Sequence, residues 1–258
     1  MRLSLLLLCL AFSIQPALAQ FQAPELTPFQ KKIQEAMQSD IRTAEEKARD
    51  NNRKPLQTLS FFGLKEDMKV IELVPAGGWF TKILGPVLRD KGVLYIVQPG
   101  QYAGATAEVL KLPGLDKVKS LDWGQWDGEL EAGVRTLPPP GKWDIDDADL
   151  VLTFRNYHNF SEQARAVLNQ SVFAALKPGG FYGILDHTRR HMEPEYRENG
   201  RREDPVAVIK EVQAAGFVFV DYSNIHYTPD DELRYEVGRV SVANNSDRFT
   251  LLFKKPEK

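Results

Sequence analysis

The sequence predicts an α/β fold, a doubly wound and mostly parallel seven-stranded sheet preceded by an N-terminal helical extension. Three observations support this prediction. From residue 69 onwards, short apolar runs alternate with helical patterns, several runs are apolar throughout, and Gly or Pro residues separate them. Strands of this kind form parallel sheets that helices cover on both faces. The chain of 258 residues is also long enough for one sizeable core.

The N-terminus has the pattern of a secretory signal peptide. It contains one early arginine, an apolar run that begins at Leu3, and the sequence Ala-Leu-Ala before Gln20. The apolar run is too short to span a bilayer. Cleavage after Ala19 would also remove the single cysteine, Cys9. We therefore expect a signal peptide at residues 1–19 and a mature protein that is periplasmic or secreted, with no membrane span.

Residues 20–55 predict the helical extension. Thr27 is in the position of an N-cap, Pro28 occupies the first helical position, and Gln30 completes a capping box. Apolar residues then recur four apart, at Phe29, Ile33, Met37 and Ile41. This stripe predicts an amphipathic helix that packs on a core. A second interpretation is that it also covers one side of a ligand site. Pro55 ends the segment.

The remaining residues, 56–258, form the predicted α/β domain. Its seven strands are KVIELV, VLYIVQ, VKSLDW, DLVLTF, FYGILDH, VFVDYS and RFTLLFKK, in chain order. The helix opened by Ser161 is stopped by a Pro-Gly-Gly sequence, and the helix capped by Asp204 ends before Gly216. With a formal net charge of −2 and interspersed acids and bases, the chain has no basic stripe, so we expect no nucleic-acid partner.

Polar residues collect where the predicted parallel strands end. The carboxyl ends of parallel strands meet at one edge of a sheet, where ligands bind. Along the chain these positions are Glu72 with the turn Pro75-Ala76-Gly77-Gly78, then Gln98, then Asp122 and Trp123, then Arg155, Asn156, Tyr157, His158 and Asn159, and finally Asp186 and His187.

This order of elements resembles the class I S-adenosylmethionine-dependent methyltransferases. The resemblance rests on VIELVPAGGWFT as the first motif, LDW after the third strand, LKPGGFYGILDH around the fifth, and DRFTLLFKKP as a reversed last strand. It covers roughly Leu56 to Pro256 and implies a Rossmann-like methyltransferase fold with S-adenosyl-L-methionine as cofactor. More narrowly, TFRNYHN, LDH and DRF with FKKP resemble a group of exported proteins described as predicted methyltransferases, whose substrate is undefined.

The resemblance implies roles for the strand-end residues. Glu72 would hold the amino group of the cofactor, while the backbone at Ala76, Gly77 and Gly78 approaches the cofactor closely. Gln98 stands where the family carries an acid that bonds both ribose hydroxyls, and an amide binds a diol less strongly than a carboxylate does. The alternative for these residues is a plain strand-ending turn.

The third strand end would serve the adenine. Asp122 would accept a hydrogen bond from the exocyclic amine, with Trp123 stacking nearby. The family turn also has glycine where Val74 and Ala76 stand here. These departures and Gln98 put the affinity for the cofactor in question.

For catalysis, His158 is the first candidate for a general base and His187 the second. Asn156 and Arg155 would position the methyl acceptor. The alternative is that RNYHN is a hydrogen-bonded turn without chemistry.

A metal site is a further alternative. His158, His187, His191 and Asp186 would have to converge on zinc or copper. Two arginines between His187 and His191 disfavour a bound cation, so the sequence predicts no metal. We expect His191 and His226 at the surface.

The sequence therefore predicts methyl transfer to an unidentified small-molecule or envelope acceptor. The alternative is a non-catalytic ligand-binding protein on a degenerate methyltransferase fold, which Val74, Ala76 and Gln98 favour. The charged segment at residues 188–204 is a solvated loop or a lid. The oligomeric state is not predicted.

Overall fold

The structure of the protein is a computed structural model that describes residues 25–126 and 137–257. Within these ranges, all seven predicted strands are present in one sheet. The strands are β1 (Lys69–Leu73), β2 (Val93–Val97), β3 (Lys119–Leu121), β4 (Ala148–Phe154), β5 (Leu176–His187), β6 (Val218–Ser223) and β7 (Arg248–Lys254).

The strand order creates a switch point beside β1. The spatial order is β3-β2-β1-β4-β5-β7-β6, with parallel pairing from β3 to β5 and antiparallel pairing of β7 to both β5 and β6. From β1 the chain continues to β2 and β3 on one side, and to β4 and β5 on the other. Ligands of open α/β sheets bind between the carboxyl ends of the strands that flank such a reversal, here β1 and β4.

Helices cover both faces of the sheet. They are α1 (Pro28–Gln38), α2 (Ala44–Ala48), α3 (Asp50–Arg53), α4 (Pro55–Phe61), α5 (Thr81–Leu88), α6 (Ala103–Leu110), α7 (Glu162–Ala175) and α8 (Pro205–Ala214). Val70 of β1 packs into a core with residues of α1, α4 and α5. Its neighbour Ile71 packs into a second core with residues of α7 and α8. Successive side chains of a strand point to opposite faces, which explains the uniformly apolar strands.

The N-terminal extension contains three helices where the sequence predicts one. The capping box of Thr27 and Gln30 is confirmed, but α1 ends at Gln38. The reason is a second capping box, in which the Thr43 side chain accepts from the backbone of Glu46 at 3.2 Å and the Glu46 carboxylate accepts from the backbone of Thr43 at 2.9 Å. This local capping starts α2 anew.

The boundary between α7 and β5 also differs from the prediction. The helix ends at Ala175, before the predicted Pro-Gly-Gly stop, and Leu176 is already extended. Pro178 disfavours a helical conformation of the residue before it. Gly179 adopts a φ of 79°, and the register between β4 and β5 shifts in this region.

The predicted signal peptide at residues 1–19 lies outside the described residues. Among the residues that are described, no helix combines the length and the apolar character needed to cross a membrane.

Candidate functional site

A cavity of about 270 Å³ opens at the switch point. Residues 72–77, at the end of β1 and in the turn that follows, form one part of its lining, and the end of β4 forms another. The rings of Phe80 and Phe154 stack with 3.6 Å between their centroids and supply an apolar surface. Glu46 and Arg53 of the extension complete the lining. Residues of α2 and α3 therefore cover one side of this cavity, whereas no residue of α1, which carries most of the predicted apolar stripe, lines it.

The turn after β1 contains left-handed residues that are not glycine. Val74 has a φ of 49° and Ala76 a φ of 48°. Each costs about 1–2 kcal/mol relative to an ordinary conformation. Hydrogen bonds hold both in place, because the Val74 N–H donates to the Val97 carbonyl at 2.8 Å and the Ala76 N–H donates to Oε1 of Gln98 at 3.3 Å. These are the two positions at which the resembled family has glycine.

The two glycines of the turn have different functions. Gly78 has a φ of 69°, and an added Cβ would lie 2.6 Å from Cγ1 of Val109. Glycine is therefore required there by both backbone and packing. Gly77 lines the cavity, and a Cβ at this residue would meet no atom within 4 Å. The backbone at Gly77 is thus open to a ligand.

Glu72 is the buried carboxyl group of the cavity. It is 2% exposed, and Oγ1 of Thr81 donates a hydrogen bond to its carboxylate at 2.7 Å. Burial raises the pKa of Glu72 to about 7, although the hydrogen bond from Thr81 acts in the opposite direction. A cationic ligand would favour the ionised form. Glu72 is therefore suited to binding an ammonium group.

The side-chain amide of Gln98 stabilises the turn after β1 by hydrogen bonds. Its Oε1 accepts from the Ala76 N–H, and its Nε2 donates to the Tyr102 carbonyl at 3.1 Å and to the Thr106 hydroxyl. The Thr106 hydroxyl donates in turn to the Ala76 carbonyl at 3.2 Å. Gln98 is not among the residues that line the cavity. The structure thus gives this amide a role in holding the turn.

Asp122 and Trp123 lie outside the cavity, since neither is among its lining residues. Asp122 is exposed, and its Oδ1 accepts from the Gly124 N–H at 3.1 Å. Trp123 is buried and stacks on Phe160, with 6.2 Å between ring centroids. The structure therefore does not bring these two residues together with Glu72 in one cavity, and Trp123 is part of the core.

Asp186 organises both candidate histidines. Its Oδ1 lies 2.6 Å from Nδ1 of His158 and accepts from the His187 N–H at 2.7 Å, while its Oδ2 accepts from the His158 N–H at 2.9 Å. Nδ1 of His187 pairs with the Ser246 hydroxyl at 2.8 Å. Burial, followed by the charges of His158 and several arginines, lowers the pKa of His187 well below its usual range.

The two histidine rings lie 5.6 Å apart, and neither residue lines the cavity. The sequence placed Asp186 at a strand end but did not identify it as their shared partner. Its position directly before His187 was the available signal.

Arg155 and Asn156 connect this cluster to the cavity, which both residues line. Nδ2 of Asn156 donates to the Val74 carbonyl at 2.9 Å and so ties the end of β4 to the turn after β1. Arg155 has a φ of 58°. Burial, and next the charge of Arg49, lowers the pKa of Arg155 to about 10, while Asp186 opposes this shift.

The sequence did not identify Arg53 and Trp79 as residues of the site. Trp79 follows the glycine turn and contacts two guanidinium groups, those of Arg42 at 4.7 Å and Arg53 at 4.4 Å from its ring centroid. Its Nε1 donates to the Glu46 carbonyl at 3.2 Å. These contacts dock the extension on the turn. These contacts join residues that are far apart in sequence. The arginines of the extension were the only sequence signal for them.

The remaining histidines differ in burial. His191 is exposed as predicted, and its Nδ1 lies 2.9 Å from Oδ2 of Asp204. The prediction for His226 is wrong. It is buried between the Thr250 hydroxyl, 2.9 Å from Nδ1, and the Arg53 carbonyl, 3.1 Å from Nε2. In the described part of the chain, no group of three or more His, Cys, Asp or Glu residues is arranged to hold a metal.

Comparisons with known proteins address the fold. No family model and no curated protein sequence match the chain. A SAM-dependent methyltransferase from Aquifex aeolicus superposes with a TM-score of 0.54 at 16% identity, over 87% of this chain and 97% of its own. The cyclase SpnF superposes with a TM-score of 0.54 at 16% identity, over 80% of this chain and 81% of its own. Human N-acetylserotonin methyltransferase in complex with SAM superposes with a TM-score of 0.51 at 14% identity, over 88% of this chain and 56% of its own.

The switch point beside β1, the glycine turn and the antiparallel β7 agree with this likeness. At such identities the likeness concerns the fold. The protein therefore has the fold of the class I S-adenosylmethionine-dependent methyltransferases.

Proposed function

We propose that the protein transfers a methyl group from S-adenosylmethionine to an unidentified small-molecule or envelope acceptor. One observation carries this proposal: a buried carboxyl group, that of Glu72, lies in a cavity at the switch point of a methyltransferase fold. The structure of one protein of the same fold, human N-acetylserotonin methyltransferase, was determined in complex with SAM.

The residues of the turn fit the methionine end of this cofactor. The carboxylate of Glu72 has acceptor capacity beyond the hydrogen bond from Thr81, and would bind the ammonium group. The open backbone at Gly77 permits close approach. When bound, the cofactor supplies an electrophilic methyl group. The fit is poorer for the ribose and adenine, because Gln98 is engaged within the turn and Asp122 lies outside the cavity.

We assign the proton acceptor for an oxygen or nitrogen substrate to His158, with His187 as the second candidate. The contact between Nδ1 of His158 and the buried carboxylate of Asp186 fixes the orientation of the ring. Asp186 is thus a positioning residue. Arg155 and Asn156, which line the cavity, would orient the acceptor. The reacting group of the methyl acceptor would have to extend beyond Arg155 and Asn156 to contact the histidines.

A non-catalytic ligand-binding protein on a degenerate methyltransferase fold is the second candidate function. The replacement of the family's glycines by Val74 and Ala76 and the engaged amide of Gln98 favour it. The fold alone does not decide between the two candidates. A cyclase, SpnF, is among the proteins of similar fold.

Isothermal titration calorimetry with S-adenosylmethionine and S-adenosylhomocysteine tests the cofactor assignment. We expect purified mature protein to bind both ligands. Glu72→Gln should weaken binding at least tenfold, about 1.4 kcal/mol, because the amide removes the charge that pairs with the ammonium group. Glu108→Gln, an exposed substitution on α6, is the matched control and should leave the affinity unchanged.

Two results would contradict the assignment. If neither ligand binds, the second candidate function is favoured. If Glu72→Gln binds as tightly as the wild type, the cofactor does not use this cavity. Transfer itself is measured as release of S-adenosylhomocysteine during incubation with envelope extract, and His158→Asn should reduce that release.

We also propose that the protein is exported, because residues 1–19 have the pattern of a signal peptide. The protein recovered from the periplasmic or culture fraction should have the intact mass of a chain that begins at Gln20. Recovery from the cytosol at the full-length mass would contradict export. A charged sulfonium cofactor does not cross a bilayer unaided, so an exported methyltransferase needs a supply outside the cytoplasm.

A further inference from the structure

Four arginines give the cavity a concentrated positive charge. Arg53 and Arg155 line the cavity. Arg49 and Arg248 are close enough that their charges, after burial, lower the pKa of Arg53. Arg49 and Arg155 likewise lower the pKa of Arg248. We call Arg49, Arg53, Arg155 and Arg248 the arginine cluster.

Buried arginines elsewhere in the described chain are paired with carboxylates. In each case the guanidinium donates a hydrogen bond of 2.6–2.9 Å to a carboxylate that lies at least eight residues away in the sequence. These pairs are Arg42 with Asp50, Arg165 with Glu211, and Arg202 with Asp231. A buried guanidinium without such a partner is strongly unfavourable.

The two buried arginines of the cluster, Arg53 and Arg248, depart from this pattern. Arg53 is 8% exposed, and its Nε has no hydrogen-bond partner. Within residues 25–126 and 137–257, no recorded ion pair or side-chain hydrogen bond joins Arg53 or Arg155 to a carboxylate. The Nε of Arg248 is also buried without a partner, although one of its NH groups donates to the Asn52 carbonyl at 2.8 Å.

The carboxylates whose charges act on the cluster are Glu46, Asp186 and Asp247. Each of them has another partner, and Asp247 accepts from the Thr228 N–H at 2.8 Å. Glu46, which also lines the cavity, forms an ion pair with Lys82 at 2.7 Å. Asp186 accepts from both histidines of the buried cluster, as described above. Glu72 accepts from Thr81 and has a pKa of about 7. The described residues therefore give Arg53 and Arg155 no direct carboxylate partner, although the charges of Glu46 and Asp186 favour the protonated forms of Arg53 and Arg155, respectively, and so oppose the lowering of their pKa values by burial.

We propose that the arginine cluster binds an anionic oxygen group, a carboxylate or a phosphate, of a ligand that occupies the cavity. A guanidinium presents parallel N–H donors that match both groups. Trp79 holds the Arg53 guanidinium in place, since the group lies 4.4 Å from its ring centroid, and such preorganisation favours affinity. The cavity would then bind a cationic group at Glu72 and an anionic group at the cluster.

The anion has two possible sources, and this distinction rests on the proposed function. One is the carboxylate of the S-adenosylmethionine amino acid, which would bind together with the ammonium group at Glu72. The other is an anionic methyl acceptor. The binding chemistry at the cluster is the same in both cases.

The test compares three types of probe by calorimetry and thermal shift at low ionic strength. The first is a simple anion, inorganic phosphate or succinate. The second is S-adenosylmethionine, and the third is 5′-methylthioadenosine, which lacks the amino-acid part. The variants are Arg53→Gln and Arg155→Gln, with Arg53→Lys retaining the charge. Arg234→Gln is the matched control, because Arg234 is exposed and does not line the cavity.

We expect phosphate or succinate to raise the melting temperature of the wild type and of Arg234→Gln. The effect should decrease at least fivefold in Arg53→Gln and Arg155→Gln and be partly restored in Arg53→Lys. If Arg53→Gln also weakens S-adenosylmethionine but not 5′-methylthioadenosine, the cofactor carboxylate is the anion. If both adenosine ligands are unaffected, the anion belongs to a separate ligand.

The proposal is overturned if simple anions affect the wild type and both Gln variants equally and S-adenosylmethionine binds all of them alike. Anion binding without any binding of S-adenosylmethionine would leave the cluster assignment standing and refute only the cofactor assignment. If Arg53→Gln fails to fold by circular dichroism, Arg155→Gln and Arg49→Gln provide the same comparison.

Discussion

Two residues of the turn after β1, Val74 and Ala76, have backbone conformations that favour glycine. Hydrogen bonds to the Val97 carbonyl and the Gln98 side chain keep them there. The turn therefore has a backbone conformation suited to glycine at two residues that are not glycine, and it stores strain there. Strained backbone of this kind is concentrated at functional sites. The strain is thus compatible with ligand binding and does not by itself argue for a degenerate site.

Ala76→Gly should relieve part of this strain. Removing the left-handed penalty of about 1–2 kcal/mol, less the added entropy of the unfolded chain of about 0.4–1 kcal/mol, should raise the free energy of unfolding by up to about 1.5 kcal/mol. Urea denaturation at pH 7 measures the change. Ala107→Gly, at an exposed position of α6, is the control and should lower stability by about 0.5–1 kcal/mol. If both variants lower the free energy of unfolding, Ala76 is not left-handed in solution.

At the scale of elements, the local signals in the sequence predict the strands and several helix starts, although the capping box that starts α2 at Thr43 was missed. Seven apolar runs become seven strands, and the cap at Thr27 is correct, because these features depend on neighbours in the chain. The sequence does not predict the docking of α2 and α3, because it depends on contacts of Arg42 and Arg53 with Trp79. The burial of His226 was missed for the same reason, since its partners Thr250 and Arg53 are distant in sequence.

The strand-end rule explains how much of the site could be predicted. It correctly brings the turn after β1 together with Arg155 and Asn156, because these residues flank the switch point. It does not tell which side chains face the cavity. That depends on competing partners: Gln98 bonds to the turn, and Trp123 packs against Phe160.

Trp79→Leu should release the extension from the rest of the fold. The substitution removes two cation–π contacts and the hydrogen bond to Glu46, so we expect a loss of roughly 2 kcal/mol or more. Under native conditions, trypsin should cleave after Lys47 and Arg49 faster than in the wild type. Trp143→Leu, a core substitution, should destabilise the protein without this local increase. Equal cleavage in the two variants would mean that Trp79 does not hold the extension.

At the scale of the whole molecule, two buried groups make stability depend on pH in opposite directions. Burial raises the pKa of Glu72 from 4.5 to about 7 and lowers that of His226 from 6.5 to about 4. Between pH 4.5 and 7 the folded state binds more protons at Glu72 than the unfolded state does, so this group lowers stability as the pH rises. Between pH 4 and 6.5 it binds fewer at His226, so that group raises stability. Of these two groups, only Glu72 acts above pH 6.5.

Glu72→Gln isolates the contribution of the carboxyl group, because an amide does not titrate. Relative to the wild type, the variant should gain stability as the pH rises from 5 to 8, by about 2.5 kcal/mol in total. Urea denaturation of ligand-free protein at pH 5, 6.5 and 8 measures this difference, with Glu108→Gln as a control that should show no such gain. A difference that stays constant with pH would mean that Glu72 titrates like an exposed carboxyl group.

The same Glu72→Gln substitution is expected to weaken cofactor binding. Opposite changes in stability and affinity are the signature of a residue retained for function at the expense of folding. They would also explain why a buried acid without a cationic partner and arginines without a direct carboxylate partner line one cavity. The charges that destabilise the empty site are then the charges that a ligand with both an ammonium and an anionic group would neutralise.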